Sequence, residues 1–189
     1  MKTYEERLYE SADLVIKLVW IYTVFRALWE RKQSHVRARQ GHPELFLALH
    51  ESLLCTFCMA TWVLFNEKAK TESLPNLIQQ VELSNPGLGK NLKAEIYHRK
   101  NSLAKIASLR NQAFAHRYTT TNQRQVWDKI RPLLKNMKEV ANLTKSLFIQ
   151  LAKESGSKRL QDFEKQQPSE ARLHLIVGDA RRVVESFPE

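Results

Sequence analysis

The sequence has few of the residues that interrupt regular helices, with five Gly and six Pro among 189 residues. Few of its runs are rich in β-branched residues, so the sequence gives little support for β-strands. We therefore predict an all-α fold built from long helices. Hydrophobic residues make up 43% of the chain and charged residues 26%, as is typical of a soluble globular protein. The length fits one domain with a short appendage.

Cysteine is also scarce, and the only two, Cys55 and Cys58, lie within the apolar run LLCTFCMATW. No second pair stands at metal-ligand spacing, so we expect reduced core thiols and neither a metal nor a cofactor. The first residues are too charged for a secretory signal. The apolar run Leu14–Trp29 is interrupted by Lys17 and Arg26 and is shorter than the roughly 20 residues that span a membrane. We expect a cytoplasmic protein with no membrane segment.

The net charge of +10 is concentrated in one part of the chain. Residues 1–89 and residues 152–189 are each neutral, whereas residues 90–118 carry seven basic side chains against Glu95 alone. Residues 119–151 carry six basic side chains against two acidic ones. A solvated basic face is the simplest explanation of such a run. Its confinement to one third of the chain favours a polyanionic partner, above all nucleic acid, although charge alone does not exclude an anionic membrane surface.

Hydrophobic periodicity predicts four to five helices forming a bundle over residues 1–151, followed by a linker and tail over residues 152–189. The predicted helices run from Tyr4 to the late 30s, from Glu44 to Lys68, from Leu74 to Leu83, from Lys90 to Ala115, and from Asn122 to about Leu151. Pro132 should kink the last of these or mark the start of its main part. The run SNPGLGK is predicted as a loop. Its Gly-x-Gly-Lys fragment lacks the other residues of a phosphate-binding P-loop.

Arg110 is the unusual residue of the fourth predicted helix, because it lies at the centre of an apolar stripe. The stripe is formed by Leu92, Ile96, Leu103, Ile106 and Phe114. A guanidinium stays charged at any relevant pH, so placing it on an apolar face is costly without compensation. A carboxylate partner, a carbonyl at a helix end, or a hydrated groove between two subunits would each compensate for it.

His116 follows Arg110 in the segment RNQAFAHRY. On one straight helix this offset separates the two side chains by roughly 120°. Two copies of the helix, packed across a two-fold axis, would bring both pairs into a shared groove, which predicts a homodimer. Histidine titrates near neutrality and arginine binds phosphate through two hydrogen bonds, so the pair suits phosphodiester chemistry without a metal.

The segment LRNQAFAHRY resembles the signature of the HEPN domains, which is an arginine, usually a polar residue, and a histidine after four to six intervening residues. Arg110, Asn111 and His116 match it with five intervening residues. The sequence of this segment is similar to that of the abortive-infection U-type branch of the family. The order of helices predicted over residues 1–151 also fits that family. The resemblance implies a HEPN-like bundle and a metal-independent endoribonuclease, in phage defence or in a toxin–antitoxin pair.

The same resemblance implies a role for each residue. Arg110 and His116 would be catalytic and Asn111 would orient the phosphate or cap the helix end. RNA-binding residues would be Lys93, Lys100, Lys105 and Arg117. Tyr118 completes a His-x-Tyr sequence found in HEPN toxins whose antitoxin adenylylates the tyrosine, although those toxins have four residues between arginine and histidine. A packing or surface tyrosine is the alternative for Tyr118.

Two alternatives remain for the whole chain. The first is a protein that only binds RNA or acts as a scaffold, as some HEPN proteins do. The second is a purely structural bundle in which Arg110 is paired to a carboxylate inside the monomer.

Overall fold

The structure, a computed structural model, describes residues 2–29, 40–67, 73–115 and 123–157, with the backbone alone for residues 111–115 and 123–132. The regular elements in these ranges are all α-helices, so the predicted all-α fold is confirmed. We number them α1 (Tyr4–Trp29), α2 (Pro43–Phe65), α3 (Leu74–Ser84), α4 (Pro86–His98), α5 (Lys100–Ala115) and α6 (Gln123–Glu154).

Helix α1 lies at the centre of the bundle and packs against α2, α3 and α6. Its start is fixed by a reciprocal pair of hydrogen bonds. The Glu6 backbone N–H donates to the Thr3 hydroxyl over 3.2 Å, and the Thr3 N–H donates to the Glu6 carboxylate over 2.7 Å. Several neighbours are needed because the middle of the helix is apolar on more than one side. Its fully buried side chains include Leu8, Val15, Leu18 and Phe25.

His50 of α2 is buried in the contact between α1 and α2. Its ring centroid lies 5.0 Å from that of Phe25 and 5.1 Å from that of Trp29. Within the described part of the chain, neither ring nitrogen of His50 has a hydrogen-bond partner. Burial lowers the pKa of this imidazole from 6.5 to about 4, because an uncompensated cation is disfavoured there. His50 is thus a neutral core residue.

Helix α2 is only partly the buried body that its composition predicts. Phe57 and Leu64 are fully buried. The opposite side of the helix exposes Leu45, Leu49 and Met59, and we call this the α2 apolar face. Among the described helices, α2 is the one long and apolar enough to cross a membrane, a criterion that the core helix of a soluble protein also meets.

The prediction that SNPGLGK forms a loop is wrong, because most of this segment forms the first turns of α4. The Asn85 side chain caps the helix by accepting a hydrogen bond from the Leu88 backbone N–H over 3.2 Å, and Pro86 occupies the first helical position. Gly89 lies directly against α3, where an added Cβ would come within 2.5 Å of the Glu82 Cβ. The glycine therefore permits close helix packing rather than a loop.

The prediction of a single helix over Lys90–Ala115 is also wrong, because the helix is interrupted at Arg99. The backbone there has φ −106° and ψ 10°, and the Arg99 N–H bonds to the carbonyls of Ile96 and Tyr97. The two halves differ in their neighbours: α4 packs mainly against α3, α5 packs against α2, and both contact α6. No Gly or Pro lies at the break, so tertiary packing overrides a locally helical sequence. The bundle consequently has six described helices rather than four or five.

A polar cluster joins α5 to α6. Ser102 is buried, donates a hydrogen bond to the Glu139 carboxylate and accepts one from the Asn136 side-chain amide over 3.0 Å. The other buried side chains of α6 are mostly apolar and include Met137, Val140, Leu147, Phe148 and Leu151.

Helix α6 begins at Gln123, so Pro132 lies inside the helix and does not mark its start. The helix ends at Glu154, close to the predicted boundary after residue 151. Residues 158–189, which make up most of the predicted linker and tail, lie outside the described residues.

Candidate active site and basic surface

Arg110 lies partly buried at the edge of the bundle, where α5 packs against α2. Its guanidinium carbon is 5.1 Å from the centroid of the Trp62 ring, a cation–π distance. Trp62 is itself 42% exposed, so this pair faces solvent on one side. The indole is a form of compensation for Arg110 that the sequence analysis did not consider.

Cys58 lies on the inner side of this pair and is buried. Burial raises the pKa of its thiol to about 12; Cys55 adds to the rise, and the positive charge of Arg110 opposes it. A thiol that remains protonated is neither a nucleophile nor a metal ligand at neutral pH. Cys58 is a buried core thiol, whereas Cys55 is only partly buried. No group of three or more candidate metal-ligating side chains occurs among the described residues.

The remaining residues of the predicted catalytic motif are described only in part. The backbone of Asn111 lies in the last part of α5, next to Arg110, but its side chain is outside the described residues. His116, Arg117 and Tyr118 also lie outside them, so the predicted roles of these three stay predictions.

Two charged residues of α4 are engaged by neighbouring helices. The Lys93 ammonium forms an ion pair with Glu82 of α3 while remaining half-exposed. The carboxylate of Glu95 accepts hydrogen bonds from Ser146 over 3.2 Å and from Gln150 over 2.8 Å, both on α6. The single acidic side chain of residues 90–118 is thereby directed towards α6 and away from the exposed cations.

Lys100 and Lys105 are exposed on α5. The Lys100 ammonium lies 4.0 Å from the centroid of the Tyr97 ring. Tyr97, His98, Arg99 and Lys100 form the turn between α4 and α5, and all four are exposed; we call this group the α4–α5 corner. Lys90 and Lys93 lie two turns and one turn before Tyr97 on the same side of α4.

Sequence analysis missed two aromatic residues of this surface. Trp62 is far from Arg110 in the sequence, and only the packing of α2 on α5 brings them together. Tyr97 does adjoin three basic residues in the sequence, and that run was a usable signal.

Comparison of the chain with protein-family models, with curated proteins and with solved structures finds no match. The resemblance to the HEPN domains consequently depends on the motif residues and on the all-helical fold.

Proposed function

We propose that this protein is a metal-independent endoribonuclease of HEPN type that works as a homodimer. The observation that best supports the proposal is the position of Arg110. Its guanidinium lies at the partly exposed edge of the bundle, beside a half-exposed indole, where a phosphate group can approach. The neighbouring surface of α4 and α5 is basic, which adds attraction for a polyanion.

In the proposed reaction, His116 removes the proton of a ribose 2′-hydroxyl, whose oxygen then attacks the adjacent phosphorus. The bond from phosphorus to the 5′-oxygen breaks, and that oxygen takes up a proton, which His116 of the same or the second copy supplies. Arg110 stabilises the charge on the phosphorane-like transition state. Asn111 orients the phosphate or caps the end of α5. The products are a 2′,3′-cyclic phosphate and a 5′-hydroxyl.

RNA contacts outside the reacting group are proposed for Lys93, Lys100, Lys105 and Arg117. Of these, Lys100 and Lys105 are the stronger candidates because both are exposed, whereas Lys93 already pairs with Glu82. Binding through phosphates releases counterions, so RNA affinity should fall steeply as salt rises.

The α2 apolar face supports the homodimer. Trp62 lies beside this face and contacts Arg110, so a second copy packed there would place the dimer interface next to the candidate site. A contact between identical apolar faces is also the usual form of a two-fold interface. The resemblance further suggests a cytoplasmic role in phage defence or growth arrest, with an antitoxin that modifies Tyr118.

A non-catalytic RNA-binding or scaffold protein is the second candidate. It is favoured by one feature, the contact of Arg110 with Trp62, which gives the arginine a packing role that needs no chemistry.

Substitution of the motif residues separates these functions. Arg110→Ala and His116→Ala should each abolish RNA cleavage in the presence of a chelator. Loss of the contact with Trp62 in Arg110→Ala should by itself lower stability by about 0.5–2 kcal/mol, because this cation–π contact is partly buried. Arg7→Ala is the matched control, because Arg7 is a partly buried arginine on α1 and belongs to neither the site nor the basic surface.

Four results would contradict the proposal. Cleavage that survives both substitutions comes from another site or from a contaminant. RNA binding without cleavage by the wild-type protein supports the scaffold alternative. A loss of about 3–5 kcal/mol in Arg110→Ala, with no effect on RNA, indicates a structural ion pair instead. Binding to anionic vesicles but not to RNA at low salt would assign the basic surface to a membrane.

A further inference from the structure

The α4–α5 corner exposes an aromatic ring among three basic side chains. Tyr97 is 64% exposed, although burying an aromatic ring is normally favourable. Lys100 lies 4.0 Å from the ring centroid, and the His98 ring is 6.4 Å away at an interplanar angle of 67°. Arg99, which lies between them in the sequence, is also exposed. The ring is thus accessible and has the positive charge of Lys100 beside it.

The position of Tyr97 on α4 accounts for this exposure. Leu92 and Ile96 face the core, whereas Tyr97 lies on the outer side of the same helix, in its last turn. Tyr9 on α1 offers a comparison, since it is 45% exposed. Its neighbours along that helix are acidic and comprise Glu5, Glu6, Glu10 and Asp13. An exposed tyrosine therefore occurs twice among the described residues, but only Tyr97 combines exposure with a cationic setting.

We propose that the α4–α5 corner binds an unpaired base of single-stranded RNA by stacking it on the Tyr97 ring. Aromatic side chains accept the face of any base, and adjacent cations hold the flanking phosphates. Arg99 and Lys100 supply these cations here. Duplex RNA does not fit this site, since its bases are already stacked within the helix. The inference deepens the proposed function, because it presumes that the chain binds RNA.

The distance from the corner to Arg110 sets the length of RNA required. Lys100 and Arg110 are ten residues apart on α5, which corresponds to about 15 Å along the helix axis. At about 3.4 Å per nucleotide of a stacked strand, this axial distance spans at least roughly four to five nucleotides, because Arg110 also lies about 80° around the helix from Lys100. A strand stacked at Tyr97 therefore reaches Arg110 when several consecutive nucleotides are unpaired, and the substrate class is single-stranded or loop RNA.

Binding of a labelled 2′-O-methyl RNA strand tests the proposal, because that RNA lacks the nucleophilic hydroxyl and cannot be cleaved during the titration. Tyr97→Ala should weaken binding about tenfold, within the range measured for the loss of one stacked base. Tyr97→Phe keeps the ring and should bind as the wild type does. Tyr9→Ala is the matched control and should also bind normally.

Two further ligands separate stacking from charge. A strand of equal length with abasic sites keeps the phosphates, and a duplex keeps phosphates and bases but hides the base faces. Tyr97→Ala and the wild type should bind each of these two ligands with equal affinity. For the wild-type protein, the abasic strand should bind about tenfold more weakly than the intact strand.

The stacking proposal is overturned if Tyr97→Ala binds the intact strand as tightly as the wild type does. It is equally overturned if the substitution weakens binding of the abasic strand and duplex by the same factor as the intact strand. In both cases RNA binding persists, and the proposed function stands. If the wild-type protein binds no RNA at low salt, both proposals fail. Should Tyr97→Ala not fold, the wild-type comparison of intact and abasic strands decides the matter.

Discussion

Acidification should destabilise this protein through His50, and the structure sets the size of the effect. Burial between Phe25 and Trp29 lowers the pKa of His50 in the folded state from 6.5 to about 4. The unfolded chain therefore takes up this proton first as pH falls, so stability contributed by the neutral ring is present above pH 6.5 and lost towards pH 4. The full difference corresponds to about 3 kcal/mol, and about 2 kcal/mol should be lost by pH 5.

Urea unfolding at pH 7, 6 and 5 measures this loss, provided that the slope of the free energy against urea stays constant. His50→Phe places an aromatic ring without a titrating group in the same environment, so its stability should fall by about 2 kcal/mol less than that of the wild type over this range. His98→Gln changes an exposed histidine and should keep the pH dependence of the wild type. Parallel pH profiles for His50→Phe and the wild type would refute the reasoning.

Two further predictions concern packing and assembly. Gly89→Ala should destabilise the protein by about 1–3 kcal/mol, as overpacking does, because the added Cβ would lie 2.7 Å from a backbone atom of α3. Gly87→Ala, on the exposed side of the same helix, should be neutral or slightly stabilising, and equal losses in thermal unfolding would argue against the close contact. Leu49→Glu, on the α2 apolar face, should convert a dimer to a monomer in sedimentation, whereas Leu83→Glu on the exposed side of α3 should not. A wild-type monomer at tens of micromolar would contradict the proposed assembly.

Much of the fold follows from local sequence signals. The start of α1 at Tyr4 and the bounds of α3 agree with the hydrophobic pattern, because capping and periodicity act within one helix. The region around α4 differs from its prediction for two reasons. Asn85 and Pro86 serve equally well in a turn and at a helix start. The break at Arg99 depends on neighbours that the local sequence does not contain.

The candidate site, like the fold, is predictable from the sequence only where local signals determine it. Periodicity places Arg110 on the core-facing stripe of its helix, and the structure finds it partly buried there. Its contact with Trp62 joins residues of two helices that meet only in the folded chain, so no local pattern reveals it. Tyr97 differs, because its exposure follows from its place on the outer side of α4, opposite the core-facing Leu92 and Ile96.

The polar cluster between α5 and α6 fixes the position of α5 along α6, and with it the position of Arg110 in the candidate site. Ser102 is hydrogen-bonded to both Asn136 and Glu139, and sliding α5 by a helical turn would separate the buried Ser102 and Asn136 side chains from these partners. Such a slip would move Arg110 by roughly 5.4 Å along the axis, much further than a guanidinium–phosphate hydrogen bond tolerates. A buried serine two helical turns away therefore fixes the position of Arg110 along the helix axis.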